Sequence, residues 1–263
     1  MPDSAGSETA HTTRQTANAP ASRTRARPTG RRRYDDGCAA AHALDLVGER
    51  WALLVVRELL LGPRRFSDLR QALGGISPNV LTQRLVDLEA AGVIEQRELP
   101  PPASCRVYAL TPWGTELEPA LMALLTWGVR SPDFVRGRSL TADAMALSFK
   151  AMFQPALASG LSCRVTLVMH RYPYHIAIEQ GRIAVARGEP PCHPDQAAAW
   201  AGATLYAEPR TVLHLAYAKH PLDEALAAGH CRTEGDVEQL QRFLACFEVP
   251  PPVSPAPAGA GLL

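Results

Sequence analysis

Asn79 and Gln83 stand one helical turn apart in a segment, 78–91, whose Leu81, Leu85 and Leu88 fall on one stripe of a helix. Asn79, Thr82, Gln83 and Val86 fall on the opposite side. A planar amide donates and accepts at once, so Asn or Gln can pair bidentately with adenine. A valine or a threonine methyl can meet the methyl of thymine. An apolar stripe that seats the helix and a short polar face for base edges are what a DNA major groove, about 12 Å wide, demands. An ordinary solvated helix surface is the alternative. Around this face lie groups suited to phosphate. Arg84 flanks it, and Ser77 opens the helix. Arg64 and Arg65 precede the helix before it, where a guanidinium can bind phosphate or form a surface salt bridge. Arg106 lies at the base of a hairpin. The candidate DNA contacts are therefore Arg64, Arg65, Ser77, Asn79, Thr82, Gln83, Arg84, Val86 and Arg106.

These side chains need elements to carry them. A short helix is expected over 41–46 and a stronger one over 49–61, with Trp51, Leu54, Val55 and Leu61 in helical spacing and Glu58 a polar interruption. Gly62-Pro63 ends it. Ser67 reads as the cap of a helix reaching Leu73, and Gly74-Gly75 breaks it. Ser77-Pro78 marks the start of the next helix, a capping hydroxyl followed by proline at the first helical position. Strands over 93–98 and 106–110 flank a proline-rich tip, 99–104, that carries no positive charge. A single helix is expected from Thr111-Pro112 to Gly128. Helix, helix, helix, hairpin, helix, with a tight glycine turn before the third, describes a winged helix-turn-helix.

The second half differs in texture. An amphipathic helix over 139–153, strands over 162–169, 174–179 and 182–186, and helices over 195–201, 222–228 and 236–247 make it α+β. Gln180-Gly181 reads as a hairpin turn, and Gly235-Asp236 as a helix start. Met145, Phe149, Met152 and Phe153 form an apolar stripe, either core or the wall of a ligand pocket. The domain expectation is a basic disordered tail over 1–33, a winged helix-turn-helix over 34–131, an α+β domain over 132–249 and a second disordered tail over 250–263.

Composition sets bounds. The 263 residues are 46% hydrophobic and 20% charged, with a net charge of +1. Seven arginines crowd the first 33 residues, where they could add phosphate contacts without sequence preference or simply stay solvated. No apolar run approaches the roughly 20 residues that span a bilayer, and the N-terminus lacks a secretory apolar core, so a cytoplasmic protein with no membrane partner is expected. The six cysteines form no CxxC pair, and His170, His175, His193, His214, His220 and His230 show no HxxxH or HExxH spacing. Neither metal nor cofactor is expected. With no phosphate-binding glycine loop and no nucleophile elbow, an enzyme is not expected either.

Cys38, Gly48-Glu49-Arg50-Trp51, Arg57-Glu58-Leu59, Gly62-Pro63-Arg64-Arg65-Phe66, Gly75-Ile76-Ser77, Val80-Leu81-Thr82, Arg84-Leu85, Gly92-Val93-Ile94, Tyr108-Ala109-Leu110-Thr111, Gly114 and Trp127 occur in the order of the HxlR-type regulators, and the chain resembles them from about Tyr34 to Ser131. The resemblance implies a bacterial homodimeric winged helix regulator that binds a pseudo-palindromic operator in double-stranded DNA. Ala39 replaces the proline that many members carry after the cysteine. In some members that cysteine senses oxidants or electrophiles, so Cys38 is a candidate redox sensor or a structural thiol. Asp35 and Asp36 would raise its pKa, and Arg31, Arg32 and Arg33 would act in the other direction.

Segments Ala203-Thr204-Leu205-Tyr206, Leu222-Asp223-Glu224-Ala225-Leu226, Ala228-Gly229, Glu234-Gly235-Asp236 and Arg242-Phe243-Leu244 with Phe247 resemble the sterol-carrier-protein-like fold. That resemblance implies an apolar cavity. On it, Met145, Phe149, Met152 and Phe153 could line a site for a hydrophobic small-molecule effector. A dimerisation scaffold is the other reading of this half. A lipid-binding carrier whose winged helix serves assembly only is the rival for the whole chain.

Overall fold

The computed structural model describes residues 34–99, 105–135, 138, 140–188 and 202–254. The expected tail over 1–33, the hairpin tip 100–104, the short helix over 195–201 and residues 255–263 lie outside these, so the readings placed on them are not addressed. Two hydrophobic clusters organise the described chain.

The first is built by α1 (Ala39–Val47), α2 (Ala52–Leu59), α3 (Phe66–Ala72), α4 (Pro78–Ala90) and a hairpin of β1 (Ile94–Glu98) and β2 (Arg106–Leu110). Its centre is Val55, Val56, Leu69, Leu81, Leu85, Leu88 and Ile94, each at most 2% exposed. The helix expected from Glu49 begins later, because Trp51 adopts a left-handed backbone with φ of 80°, which an L-residue visits only when its surroundings hold it there. Ser67 does not cap α3. The chain turns in two residues earlier, at Arg65, whose carbonyl accepts from the amide of Leu69 at 3.1 Å. Gly75, with φ of 90°, makes the tight turn to α4. Ser77 caps α4 by accepting from the Val80 amide at 3.3 Å, with Pro78 at the first position. The hairpin pairs Ile94 with Leu110 and Glu98 with Arg106, and a bridge between Arg64 and Tyr108 ties it to the chain before α3.

The helix expected from Thr111 to Gly128 is two, α5 (Pro112–Thr115) and α6 (Glu118–Gly128). Pro119 explains the break: without an amide hydrogen it cannot donate to the Thr115 carbonyl as a continuous helix would require, so the helix restarts with proline in its first turn.

The second cluster lies between helices and a five-stranded sheet. The elements are α7 (Ala142–Met152), β3 (Cys163–Met169), β4 (Tyr172–Glu179), β5 (Arg182–Arg187), β6 (Ala203–Ala207), α8 (Pro209–Tyr217), α9 (Leu222–Ala227), β7 (Cys231–Gly235) and α10 (Val237–Leu244). The sheet order is β5-β4-β3-β6-β7, antiparallel except for β3 beside β6. Thr141 caps α7, and Asp236 caps α10 by accepting from the Gln239 amide at 2.9 Å. Gln180 and Gly181 turn the β4–β5 hairpin with φ of 51° and 70°, as a two-residue turn requires. The architecture is mixed α+β, with a winged helix-turn-helix first. Among the described residues no helix is long and apolar enough to cross a membrane.

Candidate nucleic-acid interface

The buried face of α4 is Leu81, Leu85 and Leu88; Ser77, Asn79, Thr82, Gln83 and Val86 are exposed, as their spacing requires. Val80 joins them at 41% exposure, beside Val86 at 48%. Two exposed valines flanking two amides add methyl-bearing surface to the face. Val80 was not among the expected contacts; its position at the edge of the polar arc was the available signal. The Thr82 hydroxyl donates to the Pro78 carbonyl at 2.9 Å, which leaves the side chain its methyl and an accepting oxygen. Gln83 Nε2 donates to Asp87 Oδ1 at 2.9 Å, which leaves one amide hydrogen and Oε1 for a base.

The arginines divide. Arg65, at the start of α3, and Arg106, at the start of β2, are exposed. Arg84 is only 14% exposed; Nη2 meets Asp87 at 2.9 Å and Nη1 lies 3.6 Å from Glu49. A phosphate would have to displace both carboxylates. Arg64 corrects the expectation more fully. Its side chain is 10% exposed and turned away from solvent, with Nη2 at 2.5 Å from the fully buried Asp143 of α7. Burial without that carboxylate would cost several kcal/mol, so the guanidinium follows its counter-charge inward. Glu58, read as a polar interruption, is fully buried too and accepts from Arg57 and from the Thr141 hydroxyl.

Cys38 is exposed at the start of α1, and its pKa lies below the ordinary thiol value because the backbone amides of Ala40 and Ala41, at the positive end of the helix, favour the thiolate. Of the two opposing directions expected, this is the lowering one, and its cause is the backbone rather than the arginines. The Asp36 Oδ1 accepts from the Cys38 backbone amide at 2.8 Å.

The stripe proposed as a pocket wall is core. Met145 and Phe149 are fully buried, Met152 nearly so, and Phe153 half-buried. The Phe149 ring centroid lies 4.5 Å from that of Phe247 and 5.4 Å from that of Phe243, while Phe153 lies 6.1 Å from Phe247. Rings at these spacings fill the volume a ligand would need. An open cleft of about 810 Å³ lies elsewhere, lined by Pro155, Leu161, Ser162, Gln180 and Gly181 among others. Among the described residues no group of three or more His, Cys, Asp or Glu side chains is placed to hold a metal.

Comparison with known proteins agrees with the first cluster. The family described as HxlR-like helix-turn-helix matches residues 46–133. The HTH-type transcriptional regulator YvaP of Bacillus subtilis is 38% identical over 96 residues, which cover 35% of this chain and 88% of that protein. The HTH-type transcriptional regulator sll1512 of Synechocystis is 43% identical over 88 residues, and the match spans 33% of this chain and 64% of that relative's length. Among solved structures, the reduced form of the transcriptional regulator YodB from B. subtilis is 30% identical, with a TM-score of 0.33, covering 36% of this chain and 95% of that one. On the extent of the match to YvaP in particular, the chain belongs to the HxlR-like helix-turn-helix family of transcriptional regulators.

Proposed function

We propose that this transcriptional regulator is a sequence-specific repressor that reads DNA with the exposed face of α4. Asn79 and Gln83 pair with bases, Thr82 and Val86 meet thymine methyls, and Ser77, Arg65 and Arg106 hold the backbone. The observation that carries this reading is the partition of α4 into a buried leucine stripe and an exposed face of amides and methyls. A homodimer on a pseudo-palindromic operator would place two such faces on one duplex. Leu44 of α1 and Leu124 and Trp127 of α6, the last 75% exposed, supply apolar surface suited to that assembly. The second half, with its likeness to sterol-carrier segments, is proposed to take a hydrophobic effector. The cleft beside Leu161 suits this better than the filled core around Phe149.

The test is selection of duplexes from a random library by the full-length protein, followed by binding of the selected site and a scrambled control at two salt concentrations. The selected site should bind ~10³-fold or more tightly than the control, and Asn79→Ala/Gln83→Ala should lose that preference. Equal binding of both duplexes that salt abolishes alike would leave only electrostatic attraction and refute the reading.

A further inference from the structure

Asp143 opens α7, outside the segment that matches the family, and is fully buried. Its Oδ1 accepts from the Tyr174 hydroxyl at 2.6 Å. Its Oδ2 lies 2.5 Å from Arg187 Nη1 and 2.5 Å from Arg64 Nη2, with Arg64 Nε donating at 3.2 Å. The other arm of Arg187, Nη2, donates to the Pro63 carbonyl at 3.0 Å. Nearby, Thr141, the cap of α7, donates to Glu58 of α2 at 2.9 Å. Toward the surface, Arg171 lies 3.8 Å from Asp68 in the first turn of α3. Tyr172 lies under three guanidiniums, those of Arg64, Arg171 and Arg187, at 5.0–5.7 Å from its ring centroid. The start of α7 and strands β4 and β5 of the second half therefore hold the approach to α3.

Arg64 is the hinge of this arrangement. Its side chain belongs to Asp143, but its backbone belongs to the wing. The Arg64 amide donates to the Tyr108 carbonyl at 2.9 Å, and the Tyr108 amide returns a bond to the Arg64 carbonyl at 2.8 Å. The next residue, Arg65, starts α3. One residue thus joins the second half, the wing strand and the first helix of the helix-turn-helix. A buried ion pair is weak as a source of stability, and in some proteins such pairs are kept because few other arrangements satisfy their charges. Recognition needs a fixed geometry, since base-reading groups must be held to within about 0.5 Å.

We propose that Asp143 is a positioning residue for DNA recognition: through Arg64 it fixes the wing and α3 relative to each other, and so sets affinity for the selected site without touching DNA. The inference rests on the reading of α4 given above. Without Asp143, Arg187, 8% exposed, would lose its carboxylate, and Arg64, 10% exposed, would keep only Glu58, whose Oε2 lies 4.0 Å from its Nη2. They would turn toward water and draw the Arg64 backbone from the wing.

The experiment uses the full-length chain, the site selected by the parent protein, and a scrambled duplex. Asp143→Asn should lower affinity for the selected site about tenfold, the loss one mismatched base pair causes, while scrambled binding and the salt dependence stay unchanged. Arg65→Ala should instead reduce the salt slope by about one. Asp143→Glu should recover part of the loss. Amide exchange should quicken at Tyr108 and in α3 but not in β3 and β4. A folded Asp143→Asn protein that binds the selected site within twofold of the parent overturns the proposal. So does an equal loss on both duplexes, which would mean only lost fold or charge. If Asp143→Asn does not fold, Arg64→Lys decides. It keeps the charge and the backbone bridge but loses the two-nitrogen hold on Asp143, and unchanged specific binding by it overturns the proposal too. A parent that selects no sequence sinks the reading of α4, and this inference with it.

Discussion

Replacing Gly114 by alanine should strain the base of the wing. A methyl carbon at Gly114 would stand 2.0 Å from the Val93 carbonyl oxygen, 3.0 Å from its carbon and 3.3 Å from Leu110 Cδ2. Non-bonded carbons prefer about 3.5–4.0 Å, so the backbone must move by more than about 1 Å. It is poorly free to do so. Val93 O accepts from the Thr111 amide at 3.0 Å and hydroxyl at 3.2 Å, and the same hydroxyl donates to Gly92 O at 2.7 Å. Thr111 also caps α5 by accepting from the Gly114 amide at 2.9 Å. Overpacking costs about 1–3 kcal/mol and a weakened cap about 1 kcal/mol more. The sum, about 2–4 kcal/mol, should lower the melting temperature by roughly 5–10 °C for a protein of this size. Gly128→Ala is the control. It ends α6 with nothing within 4 Å of the added methyl, so the same chemical change should stabilise by up to about 1 kcal/mol through helix propensity. Melting followed by far-ultraviolet circular dichroism checks both. A Gly114→Ala protein that melts within 1 °C of the parent would refute the reasoning, because it would show the wing free to slide over α5.

Two titrations follow from the thiols and from one histidine. Burial pushes Cys163 up to about 11 and raises Cys246, while Cys38 is exposed and lowered. Iodoacetamide near pH 8 should therefore alkylate Cys38 well before the two buried thiols, which peptide mass spectrometry would show; simultaneous labelling would contradict it. Desolvation lowers the pKa of His175, whose Nδ1 lies 3.1 Å from the Thr166 hydroxyl. The unfolded chain then takes up a proton near pH 6.5 that the folded chain refuses. The stabilisation is complete above that pH and lost as pH falls through it toward the lower folded value. Melting of the parent and of His175→Gln between about pH 7 and pH 5 should show the steeper decline in the parent; parallel profiles would remove His175 from the account.

What the sequence made legible was local. Ser77-Pro78 announced α4 to the residue, and its leucine spacing separated the seated side from the open one. Gln180-Gly181 and Gly235-Asp236 behaved as their backbone preferences require. What stayed hidden was set by distant neighbours. β6, with its first three residues buried, is short and lacks the alternation that marks a half-exposed strand, and β7 reads as a polar turn until β6 pairs with it. Of the two helices between them, α8 was also missed, although Pro209 at its start was a usable signal. Arg64 read as a phosphate ligand because its carboxylate lies 79 residues further along the chain. No window around Arg64 contains that information. The aromatic stripe of α7 was equally ambiguous: the same Phe149 could wall a pocket or fill one, and Phe243 and Phe247 decided for filling.

The parallel pairing of β3 with β6 has a consequence in time. The first cluster closes over neighbours near in sequence, from Leu46 to Leu117, and can condense as soon as that stretch is made. The sheet cannot, because its central strand waits for a partner that arrives only at Ala203. Contacts of such separation form slowly, after the loop between them has been closed. On a ribosome adding about 5–20 residues per second, on the order of ten seconds divide the appearance of Arg64 from that of Arg187. Through that interval Arg64 must rest in water, and the helix-turn-helix exists as a nascent body before the chain that will clamp it has been made.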